Sequence, residues 1–232
     1  LKISLMTNGA YDITVRPLGK LWDVRNRKSP PSQEEIETAR KLVNYRKLLI
    51  DSSNNTIFLR DPGMAFGFGS IAKGYAAKRA GMIFKANGIN DFIIDAGGDL
   101  YFEGSKGATH WVSGIRDPDP PHKVMLPFKL LTSCSVATSG DYERYFEYKG
   151  RRYHHIIDPA TGYPAFSGLR SVTVFSKDPM LADAYATAFF VMGPERANKL
   201  VSKGMDLSFI MVKNDGSLIK SRGLDLFIKP SN

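Results

Sequence analysis

The chain of 232 residues is long enough to bury a full core, as one large domain or as two intertwined halves. Hydrophobic residues at 43% and charged residues at 24% exclude disordered and collagen-like classes. The formal charge of +9 comes from scattered Lys and Arg with no basic run interleaved with aromatics, so no nucleic-acid partner is expected; a phosphate-bearing ligand, an acidic partner and a solvated basic surface all stay open.

Cys134 is the single cysteine, which rules out a disulfide framework and a thiolate metal site. No apolar run reaches the ~18 residues of a membrane span, and none of these residues is expected to form a signal peptide. The chain starts at "LKISLMTNGAYD" without an initiator Met, so an upstream segment is expected.

In chain order, "TNGAYDITVRPLGKLWDV" reads as a turn and a short apolar segment. Ser32 followed by Glu35 makes a capping box, opening a helix whose apolar face is Ile36, Ala39, Leu42 and Val43. Short strands at 47–50 and 56–59 flank the turn-rich "DSSNN". The glycine loop at 67–74 enters a helix that stops at Gly88. "DFIIDAGGDLYFEG" is a strand, a Gly-Gly turn and a second strand.

After a Pro-rich loop come further strands, with "YKGR" turning between "YERYFEY" and "RYHHII". "DPMLADAYATAFFVMG" is the most hydrophobic helix, with Asp178 as N-cap and Pro179 first in the helix; another helix starts at Pro194. "LSFIMVKNDGSLIK" closes with a hairpin. The expected architecture is a single α+β domain with a mostly antiparallel sheet and packed helices.

Four places can carry chemistry. The glycine loop presents backbone N–H groups at a helix start, where phosphate oxygens bind, and Lys73 can add a charge. It is not a Walker loop, though it fits the relaxed G-x-G-x-x-A dinucleotide pattern; glycines serving only close helix packing explain it equally.

Asp183 sits in a helix apolar nearly all round, and such a carboxylate must be paired, hydrogen-bonded or cation-bound. Thr187, one turn on, shares its face, and two oxygens at that spacing suit a hard cation such as Mg²⁺. The alternative is a core Asp satisfied by backbone N–H groups, with Thr187 bonded back to the Asp183 carbonyl.

Asp95 and Asp99 flank Gly97-Gly98, a turn that lets a flat ligand approach or is plain hairpin chemistry. Ser139, His155 and Asp183 together suggest a hydrolase triad, without a G-x-S-x-G elbow to support it. In the pair His154-His155, strand alternation sends the two imidazoles to opposite faces, so one at most enters a given site and the other packs or lies at the surface.

The blocks "GSIAKGYAAKRA", "DAGGDLYFEG", "SVATSGDYERYF", "HIIDPATGYP" and "MLADAYATAFFVMG", in this order, resemble the ApbE-type FAD:protein FMN transferases. "GAYDITVRPLGKLWDV" is similar to the segment that precedes them in that family, so the likeness spans nearly the whole chain.

The resemblance implies a T-fold-like α+β flavin transferase domain over residues 1–232, lacking the family's amino-terminal portion. It implies a periplasmic or surface-tethered bacterial enzyme, lipid-anchored through an upstream segment. Such an enzyme binds FAD, uses Mg²⁺ and moves FMN onto a Thr or Ser of an acceptor flavoprotein, such as a redox-pump subunit, releasing AMP. Some relatives instead hydrolyse FAD to FMN and AMP, and a flavin-binding module without transfer or a nicotinamide oxidoreductase on the glycine loop are alternatives.

By position, the resemblance implies metal ligation by Asp183, Thr187 and the main-chain carbonyl of Ser70. It implies FAD contacts from Ala10, Tyr11, Asp12, Lys73, Gly97, Gly98 and the backbone near Ile157, and a catalytic His155. One departure stands out: Gly67 occupies a position where the family usually carries an FAD-contacting Asp.

Overall fold

The computed structural model describes residues 1–231. The helices are α1 (Lys2–Met6), α2 (Arg16–Trp22), α3 (Gln33–Arg40), α4 (Ala72–Ala86) and α5 (Pro179–Val201). The strands are β1 (Leu48–Asp51), β2 (Thr56–Leu59), β3 (Phe92–Asp95), β4 (Leu100–Glu103), β5 (Val112–Arg116), β6 (Val124–Leu130) and β7 (Cys134–Gly140). They continue with β8 (Tyr145–Tyr148), β9 (Arg151–His154), β10 (Leu169–Ser176), β11 (Leu207–Lys213), β12 (Leu218–Lys220) and β13 (Ile228–Pro230). The chain forms two compact units, each from two stretches: Leu1–Phe68 with Asp141–Ser167, and Gly69–Gly140 with Gly168–Asn232.

In the first unit the capping box forms as expected. Ser32 Oγ accepts from Glu35 N at 3.2 Å, Glu35 returns a bond to Ser32 N at 2.7 Å, and α3 buries Ile36. The segment read as merely apolar is the helix α2, which starts with Pro17 in its first turn, where a missing N–H costs nothing. Trp22 lies on the buried face of α2, donates Nε1–H to Gly162 O at 2.7 Å and stacks on Tyr153 with centroids 5.6 Å apart. The β8–β9 hairpin turns through Lys149 and Gly150, both at positive φ (49° and 73°), the backbone of a two-residue turn.

In the second unit six strands pair in the order β12-β11-β10-β7-β4-β3, and β13-β6-β5 form a separate sheet. Every paired strand is antiparallel, so no parallel βαβ unit surrounds the glycine loop and the nicotinamide reading loses its required frame. Strand alternation sorts the larger sheet's residues onto two faces. One face, with Phe102, Val136, Phe175 and Ile210, shares a core with Ile115, Phe128 and Leu130 of the smaller sheet. The opposite face meets α5, where Phe189 packs edge-on to Phe209 at 5.5 Å.

Asp178 caps α5 through Met180 N at 2.9 Å and also pairs with Lys78 of α4 at 2.5 Å. The expected second helical start is real in backbone terms: Gly193 breaks helical geometry (φ 74°, ψ 173°) and Pro194 follows. No described helix is long and apolar enough to cross a membrane.

Candidate active site

The helix α4 begins at a residue that cannot cap it. Its N-cap is Ile71, whose side chain offers no acceptor, so the first-turn N–H groups need another partner. Asp183 of α5 supplies it: Oδ2 accepts from Gly74 N at 3.0 Å, and the Lys73 N–H also stabilises the charged carboxylate.

This is possible because the two helices touch backbone to backbone. A Cβ on Gly74 would lie 2.2 Å from Pro179 O and 2.8 Å from Met180 Cα, closer than any side chain tolerates. Close packing therefore accounts for Gly74, while its amide and that of Lys73 are spent on a carboxylate rather than kept for a phosphate.

Asp183 is 5% exposed, and burial, the largest influence, pushes its carboxyl up to about 6 against the pull of Gly74 N–H. Nearby Asp99 raises it further, and Lys73 opposes. Thr187 Oγ1 bonds Ser139 Oγ at 3.1 Å across to β7. Thr187 thus reaches the sheet, not the Asp183 carbonyl.

Asp183 and Thr187 lie one turn apart on α5, and Ser70 lies in the turn before α4; carboxylate, hydroxyl and carbonyl oxygens are the donor types that a hard cation takes. The described residues contain no group of three or more His, Cys, Asp or Glu that could hold a metal.

Lys73 is committed as well. Its Nζ lies 2.6 Å from Asp99 Oδ2, and Asp99, 4% exposed, also accepts from Thr138 N at 3.1 Å. Burial raises the Asp99 carboxyl, with Lys73 acting against it. Asp99 is the residue that sequence reasoning left as a hairpin flank. Its signal was alternation across the Gly-Gly turn, which leaves Asp95 exposed and Asp99 buried.

Gly97 and Gly98 take φ of 67° and 92°, with nothing within 4 Å of either missing Cβ. The turn offers bare, open backbone, and Gly98 N is tied to Asp95 Oδ1 at 2.7 Å.

The remaining candidates belong to the first unit. Asp12 is a structural clasp: Oδ1 accepts from Thr14 N at 2.8 Å and Thr14 Oγ1 at 2.7 Å, and Oδ2 accepts from Tyr45 N at 2.9 Å. Ala10 and Tyr11 are buried with it. Around Ile157 the bonds Ala165 N to Ile156 O (2.9 Å) and Asp158 N to Tyr163 O (2.8 Å) leave its own N–H and C=O directed away from Pro164.

The histidines do separate, with β9 ending at His154 and His155 just beyond it. His154 is 3% exposed, its Nε2–H donates to Ala165 O at 3.0 Å and its Nδ1 accepts from Ile156 N at 3.3 Å. Those two bonds require the neutral tautomer, and burial pushes its pKa down to about 4. His155 is exposed, with Nδ1 3.3 Å from Arg144 O; Arg144 lines a cavity of about 880 Å³ with Arg25, Lys28 and Tyr145. Ser139 has Thr187 as its hydroxyl partner and Asp183 has the α4 amides, so neither is set as a member of a hydrolase triad.

Residues 1–211 match the family model described as "ApbE family". The chain is 32% identical over 228 residues to the FAD:protein FMN transferase of Klebsiella pneumoniae, covering 98% of this chain and 71% of that protein. It is 31% identical over 227 residues to the protein of the same name from Escherichia coli, covering 95% of this chain and 64% of the relative, so it spans a little under two thirds of that protein. The crystal structure of the ApbE protein from Thermotoga maritima superimposes with a TM-score of 0.88 at 40% identity, over 97% of this chain and 74% of that one. The α+β fold, the ordered sequence blocks and these matches agree: the chain belongs to the ApbE family, whose named members here are FAD:protein FMN transferases.

Proposed function

We propose that this chain transfers the FMN moiety of FAD to a Thr or Ser hydroxyl of an acceptor protein, in a Mg²⁺-dependent reaction that forms a phosphodiester and releases AMP. The observation that carries the reading is Asp183: a buried carboxylate, raised to about 6 and bonded to the first turn of α4, in a chain whose relatives bear the transferase name.

The acceptor oxygen attacks the FMN phosphorus; a new O–P bond forms as the P–O bond to AMP breaks, and His155 takes the hydroxyl proton. Mg²⁺, held by Asp183, Thr187 and the Ser70 carbonyl, would supply charge neutralisation for the pyrophosphate. Lys73 adds positive charge beside Asp99, and the bare Gly97-Gly98 turn admits a flat ring close to backbone. The acceptor is a flavoprotein such as a redox-pump subunit, and the setting is the periplasm or the outer face of the inner membrane.

The test is incubation with FAD, Mg²⁺ and a Thr-bearing acceptor, following AMP release and flavin fluorescence on the denatured acceptor. AMP together with labelled acceptor is the expected result. AMP without label would make the chain an FAD pyrophosphatase, and flavin binding without AMP would make it a binding module.

A further inference from the structure

The second unit holds a cavity of about 600 Å³. Lys106, His110, Lys129 and Lys229 line it together with Trp111 and Ile93, and no lining residue carries a carboxylate. None of the three lysines is held in an ion pair with a described residue.

Two of them are forced together by register. Lys129 of β6 stands directly opposite Lys229 of β13, and Val112 of β5 lies opposite Lys129 on the other side. Like charges facing each other across a strand pair destabilise it. A fold that lines a cavity with such a pair, with a third lysine and no acid, is arranged for an anion that neutralises them.

The walls decide what kind of anion. Ile93 lies on β3, which pairs only with β4 and ends the six-stranded sheet; Val112 lies on β5, which pairs only with β6 and ends the three-stranded one. Both edges carry unpaired backbone N–H and C=O groups, the template for an added strand. Ile93 is 43% exposed and Val112 57% exposed, giving apolar footing for alternate side chains.

We propose that this cavity binds an extended acidic peptide segment of a protein partner, its carboxylates on Lys106, Lys129 and Lys229 and its backbone on one of the two strand edges. The proposal stands independently of the transfer reaction.

The probe is a fluorescein-labelled octapeptide alternating Glu with Val, titrated against the full chain in low salt and in 0.5 M salt. Trp111 serves as a second reporter, because the other tryptophan, Trp22, is only 1% exposed in the first unit. Saturable, salt-weakened binding that falls at least tenfold in Lys129→Gln/Lys229→Gln supports the proposal. The thermal midpoint of that variant should be equal or higher, since a repulsive pair has been removed, which separates lost binding from lost folding. No binding of the peptide overturns the proposal. So does stronger binding to vesicles containing anionic lipid, or full displacement of the peptide by millimolar inorganic phosphate.

Discussion

Asp183 Oδ2 accepts a hydrogen bond from Gly74 N at 3.0 Å, so a side chain of one helix caps the start of another. The carboxylate gains a positive helix end, and α4 gains the acceptor that Ile71 lacks. A single contact therefore couples helix packing to the proposed metal site.

Gly74→Ala should separate the helices, because the added Cβ meets Pro179 backbone at 2.2 Å. A loss of roughly 1–3 kcal/mol is expected from overpacking. Gly69→Ala, with nothing within 4 Å of the new atom, is the control and should unfold in urea close to the unsubstituted chain.

Asp183→Asn keeps an oxygen for the α4 amides but removes the charge, and should lower Mg²⁺-dependent transfer about 100-fold or more. Asp183→Ala should also cost about 1 kcal/mol of stability through the lost cap. The sign with pH follows from the raised carboxyl. The unfolded chain releases this proton first, so the group subtracts stability as pH rises from about 4 towards 6. Melting curves of Asp183→Asn should lack that decline, and Mg²⁺ should raise the melting midpoint of the unsubstituted protein more at pH 8 than at pH 5.

The histidines should fail differently. His154, neutral and pushed down to about 4, must gain a proton on unfolding below its ordinary range. Its contribution is full above about pH 6.5 and is lost as pH falls towards 4, at most about 3 kcal/mol. His154→Gln should flatten that acid limb in a denaturation series. His155→Ala should leave stability within about 0.5 kcal/mol and lower transfer instead. A large stability loss in His155→Ala with transfer intact would remove it from the proposed chemistry.

Lys73→Met strips Asp99 of its cation and leaves a buried carboxylate. The loss should shrink as the pH is lowered, because burial raises the Asp99 carboxyl and its protonated form no longer needs the partner. Adding Asp99→Asn should restore most of the stability, and a double-mutant cycle measures the coupling.

Gly67→Asp should fold normally. Gly67 has an ordinary φ, and a new Cβ would sit 3.5 Å from the Arg16 side chain, a normal contact. If the family's Asp serves flavin here, FAD should bind more tightly to this variant by fluorescence quenching.

What could be read from the chain alone was local. The Ser32-Glu35 box, the Asp178-Pro179 start, the Gly193-Pro194 break and the hairpins at Gly97-Gly98 and Lys149-Gly150 depend on side chains within a few positions of each other. The opposite placement of His154 and His155 was also local, since it involves two adjacent residues where β9 ends; which of them would be buried was not.

Tertiary structure decided the long-range partnerships. Gly74 with Pro179, Lys73 with Asp99 and Asp183 with the start of α4 join residues far apart in sequence, and no short-range pattern encodes such pairs. Asp12 shows the same limit, because a buried carboxylate reads alike whether it awaits a ligand or already holds Thr14 and Tyr45. The sequence determined that buried charge must be satisfied; only the packed chain decided which amide, hydroxyl or ammonium satisfies it.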